Sequence, residues 1–318
     1  MGWLTRFGTQ WGDVPQTFGN VFWVAPSSPY TVEGRSYSSS DNYDGISPER
    51  ALATTSQAIS NASANAGDVI MLLPGTHTSA ATVTLSKAGL TFVGCHPQMR
   101  LGPNMFTYSP ATKVNWTSTF AGTGITNTAA DTTFVGINFI PVTAQTGMSV
   151  AAAARNTFID CAVTLSAATS TSTKGIVFSG ASPYASFSNC NFLNTLATSV
   201  QGPAVDLTGA AEFQVEHCRV LQTGTSSAWA VAIQLGAGSS GVFNNNYLTT
   251  HGVGTMTVGI DGTGVAVANA VTLVNNFAGV SPGIGMFKNG TNANFNLINN
   301  WFATIGAGAG FVLQTSVA

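Results

Sequence analysis

One six-residue word recurs along this chain and limits what it can fold into. The word reads apolar, any, small or polar, Cys or Asn, any, apolar. It begins as "FVGC" at Phe92–Cys95 and continues as "FVGINF" (Phe134–Phe139), "FIDCAV" (Phe158–Val163), "FSNCNF" (Phe187–Phe192) and "VEHCRV" (Val215–Val220). Later copies are "FNNNYL" (Phe243–Leu248), "LVNNFA" (Leu273–Ala278) and "LINNWF" (Leu297–Phe302). The fourth positions fall at 95, 137, 161, 190, 218, 246, 276 and 300, spaced by 24–30 residues except for one step of 42. A period in this range marks a solenoid. The apolar residues of each word stand five apart around turn-forming Asn, Asp, His or Gly, which suits two short strands meeting at a corner and no helical face. Each period is therefore expected to form one coil of a parallel β-solenoid, stacked about 4.8 Å from the next.

Stacking explains why a thiol sits among amides. One side chain at the corner points inward and lies over its counterpart in the next coil. Asparagine suits such a file because its amide both donates and accepts; cysteine suits it because it is small and buries readily. Ile137, Cys161, Cys190, Cys218, Asn246, Asn276 and Asn300 are read as this internal column, with thiols in the middle and amides toward the C-terminus. A disulfide between neighbouring coils is the competing reading, since the Cα spacing permits one. No CxxC pair occurs among the four cysteines, so no metal site is expected.

The stretch "GDVIMLLPGTHTSAATVTLSKAGLTFVGCHP" (Gly67–Pro97) resembles the opening coil of right-handed parallel β-helix proteins of the pectate-lyase-like superfamily. Upstream, "DGISPERALATTSQAISNASANAGD" (Asp44–Asp68) is similar to their N-terminal cap. The implied fold class is all-β: a single-stranded right-handed parallel β-helix with an N-terminal capping helix and an extended N-terminal arm. Residues 1–20 form the arm, 21–66 the first strand, a loop and the capping helix, 67–302 the β-helix, and 303–318 a strand or tail. Ser47 is expected to cap the helix, Pro48 to open it, and Ala51 to Ala64 to run three to four turns. His96–Thr112 is read as a loop inserted into the long coil. In the arm, Trp3, Phe7, Trp11 and Phe18 have no period, and so short a segment needs a docking surface for them.

Charged residues make up 7% of the chain and the net charge is −2, against roughly 25% charged in an ordinary domain. Nineteen Phe, six Tyr and six Trp guarantee a core beneath this neutral polar skin. The ten Lys and Arg form no stripe, so no nucleic-acid partner is expected. No membrane span is expected either, because no apolar run reaches about 18 residues. The start lacks the pattern of a secretion signal, and folding in a reducing cytoplasm is the expectation.

Glycan hydrolysis requires two carboxyl groups at a set separation. Beyond residue 130 the acids are Asp131, Asp160, Asp206, Glu212, Glu216 and Asp261. Asp160 and Glu216 are weak catalytic candidates, two coils apart but one row out of line; a solvated or corner-bonded role is the bland alternative. Among the bases Lys113, Arg155, Lys174, Arg219 and Lys288, Arg155 is expected to pair with Asp160 and Arg219 with Glu216. His217 is placed in the corner row between Asn189 and Asn245, while His77, His96 and His251 are read as loop or turn residues. No catalytic motif of the superfamily matches, and no cofactor is implied.

Two phrases, "GDVPQTFGNVFWVAPS" and "SYSSSDNYDGISPERAL", resemble the start of β-helix proteins in tailed-phage virions. That resemblance implies a homotrimeric structural protein, a capsid decoration or spike held on the major capsid protein or another virion protein through its arm. The alternative is a tailspike-like protein that binds or depolymerises host surface polysaccharide.

Overall fold

The computed structural model describes residues 19–32, 34–95, 114–120, 122–142, 145–151, 155–165, 173–179, 182–195, 202–223, 228–250, 255–266, 269–280, 285–289, 294–304 and 312–314. Three long sheets run its length. Sheet 1 orders Val21–Val24, Val69–Leu72, Thr91–Gly94, Thr132–Val135, Asn156–Ile159, Ser182–Ser188, Ala210–Glu216, Gly241–Asn244, Ala270–Val274 and Asn294–Ile298, each parallel to the next. Sheet 2 runs from Thr76–Ser79 to Asn300–Thr304, where Val312–Gln314 joins antiparallel. Sheet 3 runs from Val83–Leu85 to Gly285–Asn289. Each coil visits sheets 1, 2 and 3 in turn, as the repeat spacing predicts.

The recurring word is the corner between sheets 1 and 2. Its third residue turns the chain by adopting a left-handed backbone. Gly136, Asp160, Asn189, His217, Asn245, Asn275 and Asn299 all have φ between 50° and 67°. Only Gly, Asn, Asp and, less readily, His accept that region at small cost, which is why the third position never holds a branched or large apolar residue.

The fourth residue then points inward. Ile137, Cys161, Cys190, Cys218, Asn246, Asn276 and Asn300 are all buried, at 3% exposure or less. The column is as expected, and all four thiols are free. The first residue of each word forms a second internal file. Phe92, Phe134, Phe158 and Phe187 stack ring on ring, with centroids 5.3, 5.0 and 4.6 Å apart. Such near-parallel pairs add about 0.5–1.5 kcal/mol each to what their burial contributes.

Cys95 belongs elsewhere, in a separate cluster with Trp23, Tyr30 and Leu73. The chain leaves sheet 1 at Gly94 and enters sheet 2 at Val114, which pairs with Ile137. The strands thus confine the extra length of the long coil to this corner, while the inserted loop itself, with His96 and Lys113, lies outside the described residues. So do His251 and the arm residues Trp3, Phe7, Trp11 and Phe18.

The capping helix is shorter than expected and starts later. Pro48–Arg50 forms one 3-10 turn, Ser47 makes no side-chain cap, and the α-helix spans Thr55–Asn61. Sheet 1 recruits the intervening backbone. Leu52 bridges Val24 in parallel, its N–H donating to Trp23 O (2.8 Å) while Ala25 N–H donates to Leu52 O (3.0 Å). Residues so paired cannot also be helical. Thr54 is the real cap, its Oγ1 accepting from Gln57 N–H (3.2 Å). At the other end Lys87 Nζ donates to Ser60 O and Ala62 O (2.6 and 2.5 Å), placing a cation on the helix C-terminus. Ala58 and Ile59 are buried in the main core, so the helix packs over the first coils as a cap.

Candidate functional site

The two weak catalytic candidates are built into the backbone path. Asp160 is the left-handed corner residue of its coil (φ 51°) and is buried. Glu216 ends a strand of sheet 1 opposite Ser188 and accepts from Gln214 Nε2 at 2.9 Å. Ile159, Ser188 and Glu216 share one row, and Asp160 shares the next with Asn189 and His217. The two carboxylates therefore occupy different rows, as the spacing predicts. His217 stands in the corner row with Nε2 3.5 Å from Asn245 Nδ2.

Both expected ion pairs are corrected. Arg155 pairs with Asp131, Nη2 to Oδ2 at 2.8 Å, and not with Asp160. Arg155 and Asp131 are left-handed residues (φ 52° and 55°) just before paired strands of adjacent coils, so stacking brings them together. Asp160 lies at the opposite end of its strand. Arg219 lies over the Tyr247 ring, with its guanidinium carbon 5.9 Å from the centroid, within the roughly 6 Å reach of such contacts. Outward residues at the start of sheet 2 strands stack on the next coil, which favours this ring over Glu216 across the corner.

His77 is also corrected: it is an inward-facing strand residue and not a loop residue. It lies 5% exposed opposite Trp116, and its Nε2–H donates to Leu73 O at 2.8 Å. Burial pulls its pKa down to about 4, against a smaller upward pull from that hydrogen bond. A pocket of about 310 Å³ adjoins it beside the cap, lined by His77, Thr78, Ser79 and the helix start at Thr54–Ser56. Burial raises the Cys95 thiol to about 12 and holds Cys190 well above its ordinary value, so neither is a nucleophile at neutral pH.

One file of polar groups escapes sequence reasoning. On the outer side of sheet 3, Val177, Asp206, Gln234 and Asp261 occupy one row in register, which the backbone of Lys288 continues. Asp206 and Asp261 are two coils apart, or about 9–10 Å by strand spacing. Each also closes its own turn. Asp206 Oδ1 accepts from Thr208 N–H at 3.1 Å, and Asp261 Oδ1 from Thr263 N–H at 3.0 Å. Asp206 is further neutralised by Lys174 Nζ at 3.1 Å. The signal was present as Asp-x-Thr-Gly, at Asp206–Gly209 and Asp261–Gly264. Among the described residues no group of three His, Cys, Asp or Glu could hold a metal ion, and no helix is long and apolar enough to cross a membrane.

No family model matches the sequence, and no curated protein matches it. Solved structures do match. A pectin methylesterase mutant in complex with a hexasaccharide superimposes with a TM-score of 0.53 at 13% identity, covering 90% of each chain. The fold is the right-handed parallel β-helix. A pectin methylesterase from carrot gives 0.52 at 12% identity over 92% of this chain and 91% of the other. A rhamnogalacturonan lyase gives 0.51 at 11% identity over 92% and 78%. At such identities the parallel β-helix is shared as a fold, and activity does not follow from it.

Proposed function

We propose that this β-helix is a structural protein of a tailed-phage virion. In this reading it is a homotrimeric capsid decoration or protruding protein that docks on the major capsid protein, or another virion protein, through Trp3, Phe7, Trp11 and Phe18. One observation carries the non-catalytic part. Asp160, Asp206 and Asp261 sit where a corner or turn is made, and Glu216 is held by a neighbouring amide. Carboxylates committed to chain geometry serve a rigid body better than proton transfer. The second phage-like phrase is used in the same way: Asp41 accepts from Ala53 N–H, Thr54 N–H and Thr54 Oγ1, and Asp44 pairs with Arg50 at 3.3 Å. Deleting residues 1–20 is expected to leave a folded body that no longer co-purifies with particles, measured by mass spectrometry of purified virions. Full attachment of the truncated protein would discard the docking arm.

A second reading, a protein that binds or cleaves host surface polysaccharide, is favoured by the Asp206–Gln234–Asp261 file. Its separation is near the upper end of the roughly 6.5–9.5 Å used for inverting hydrolysis. Oligosaccharide release from host glycans that Asp206→Asn or Asp261→Asn abolishes would establish it in place of the first.

A further inference from the structure

The corner between sheets 1 and 2 forms a ridge along the solenoid, and its flanks change character along the axis. At Cys161 the residues either side of the corner are Ile159 and Ala162; at Cys190 and Cys218 they become Ser188, Asn189 and Asn191, then Glu216, His217 and Arg219. In the later coils the same positions hold Asn244 and Tyr247, then Val274 and Phe277, then Ile298 and Trp301. Tyr247 and Phe277 stack with centroids 5.0 Å apart and planes within 3°. Ile298 and Trp301 are each 47% exposed, and Val242, two residues before Asn244 in its strand, is 37% exposed. These are three of the four large hydrophobic residues exposed among those described; Ile46 is the fourth.

From these rows we infer that the ridge of the last three amide coils is the surface on which a second copy of this chain packs. The reading rests on the homotrimer of the proposed function and names its contact face. The lack of charge fits a like copy and disfavours a charged occupant. No ridge flank from Asn244 onward is charged, and Lys288 is the single charged residue between Gly262 and Ala318. A neutral ridge meets a copy of itself without like-charge repulsion, whereas it offers nothing to steer a charged partner. Aromatic and branched side chains held rigid by their own sheet are what interface centres are made of, since little side-chain freedom is lost on docking. Asn245, Asn275 and Asn299 at the crest supply uncharged donors and acceptors for a polar seam between the apolar flanks.

Sedimentation analysis of the full chain over a concentration series tests this, with far-UV circular dichroism on every variant. The wild type is expected to self-associate. The double variant Ile298→Asp/Trp301→Asp is expected to weaken association by about 100-fold or more, as loss of central interface residues does. Ser188→Asp, on the polar part of the same ridge, is expected to change nothing. Should the double variant unfold, Trp301→Cys serves instead, and a short bismaleimide is expected to link two copies through it because the native thiols are buried. A wild type that stays monomeric to about 100 µM, a concentration at which even weak specific contacts form, overturns the inference. So does association that survives the double variant, or that Ser188→Asp abolishes equally. Particle attachment is a separate readout, so loss of the docking arm and loss of this face are told apart.

Discussion

The thiol coils and the amide coils solve one problem in two ways. At the same corner, the fourth residue must fill the interior and face the carbonyl of the first residue one coil earlier. Cys161, Cys190 and Cys218 direct Sγ to Phe134 O, Phe158 O and Phe187 O at 3.4–3.6 Å. Asn246, Asn276 and Asn300 direct Nδ2 to Val215 O, Phe243 O and Leu273 O at 2.8–3.0 Å. A thiol has one weak proton, shared between that carbonyl, the carbonyl two residues back (Ile159, Ser188 and Glu216 O at 3.2–3.4 Å) and, at Cys190, the neighbouring thiols. The amide goes on: Asn246 Nδ2 donates to Asn276 Oδ1 and Asn276 Nδ2 to Asn300 Oδ1, each at 2.9 Å. Each Oδ1 also accepts a backbone N–H from the coil before, Cys218 N–H to Asn246 at 2.8 Å and Asn246 N–H to Asn276 at 3.0 Å.

This ladder is directional, and its direction explains the order along the chain. Asn246 and Asn276 each spend their second proton on the coil that follows. A thiol before an amide is satisfied, because Cys218 N–H gains an oxygen acceptor; a thiol after an amide leaves the amide Nδ2 facing sulfur as well as the backbone N–H, which Cys161 already directs to Cys190. The single change from thiol to amide, at Cys218–Asn246, is the permitted order. The exterior changes just after it, from Glu216 and Arg219 to Asn244 and Tyr247, and then to Val274 and Phe277, Ile298 and Trp301.

The asymmetry can be broken most severely at the middle amide. Asn276→Leu removes both donors and the acceptor of Asn276 and strands Asn246 Nδ2, with an expected loss of about 3–5 kcal/mol from several buried hydrogen bonds, read by chemical denaturation. Asn276→Cys is expected to cost about 2–4 kcal/mol for the same stranded donor. Its mirror, Cys218→Asn, extends the ladder and is expected to stay within about 1 kcal/mol of wild type. Equal costs for the last two would remove the directionality.

Protonation offers a second contrast, between the capped end and the coils beyond. His77 has its folded pKa lowered to about 4 from 6.5, so the unfolded chain binds the proton more readily between these values. Stability is therefore complete above about pH 6.5 and falls as the pH drops toward 4, by up to about 3 kcal/mol. His77→Gln is expected to flatten this part of the pH–stability curve. The smallest effect belongs to the corner: Asp160→Asn keeps a residue suited to the left-handed backbone and is expected to change stability by less than about 0.5 kcal/mol.

The column was legible in the sequence because its corner has a fixed length. Six residues always carry the chain from sheet 1 to sheet 2, so the word stays in register from Phe134 to Phe302. The file on sheet 3 was not legible in the same way. The links between sheets 2 and 3 vary, from Gln222 to Ala228 in one coil and from Asn194 to Val205 in another, which blurs the position of Asp206 against Asp261. The helix was overextended for a different reason: Ala51–Ala53 has helical composition, but Val24 offers its backbone a strand partner. Local propensity lost to a long-range pairing. His77 looked like a turn residue beside Pro74 and Gly75, and only the register with Trp116 turns it inward.

The account depends on Cys161, Cys190 and Cys218 standing in one interior file. Thiol labelling of the native protein with a chromogenic disulfide tests this most directly. All three, with Cys95, are expected to stay unreacted in native buffer and to react at once in denaturant, giving four thiols. Rapid native labelling of the three column cysteines, or fewer than four thiols after unfolding without reductant, would contradict it.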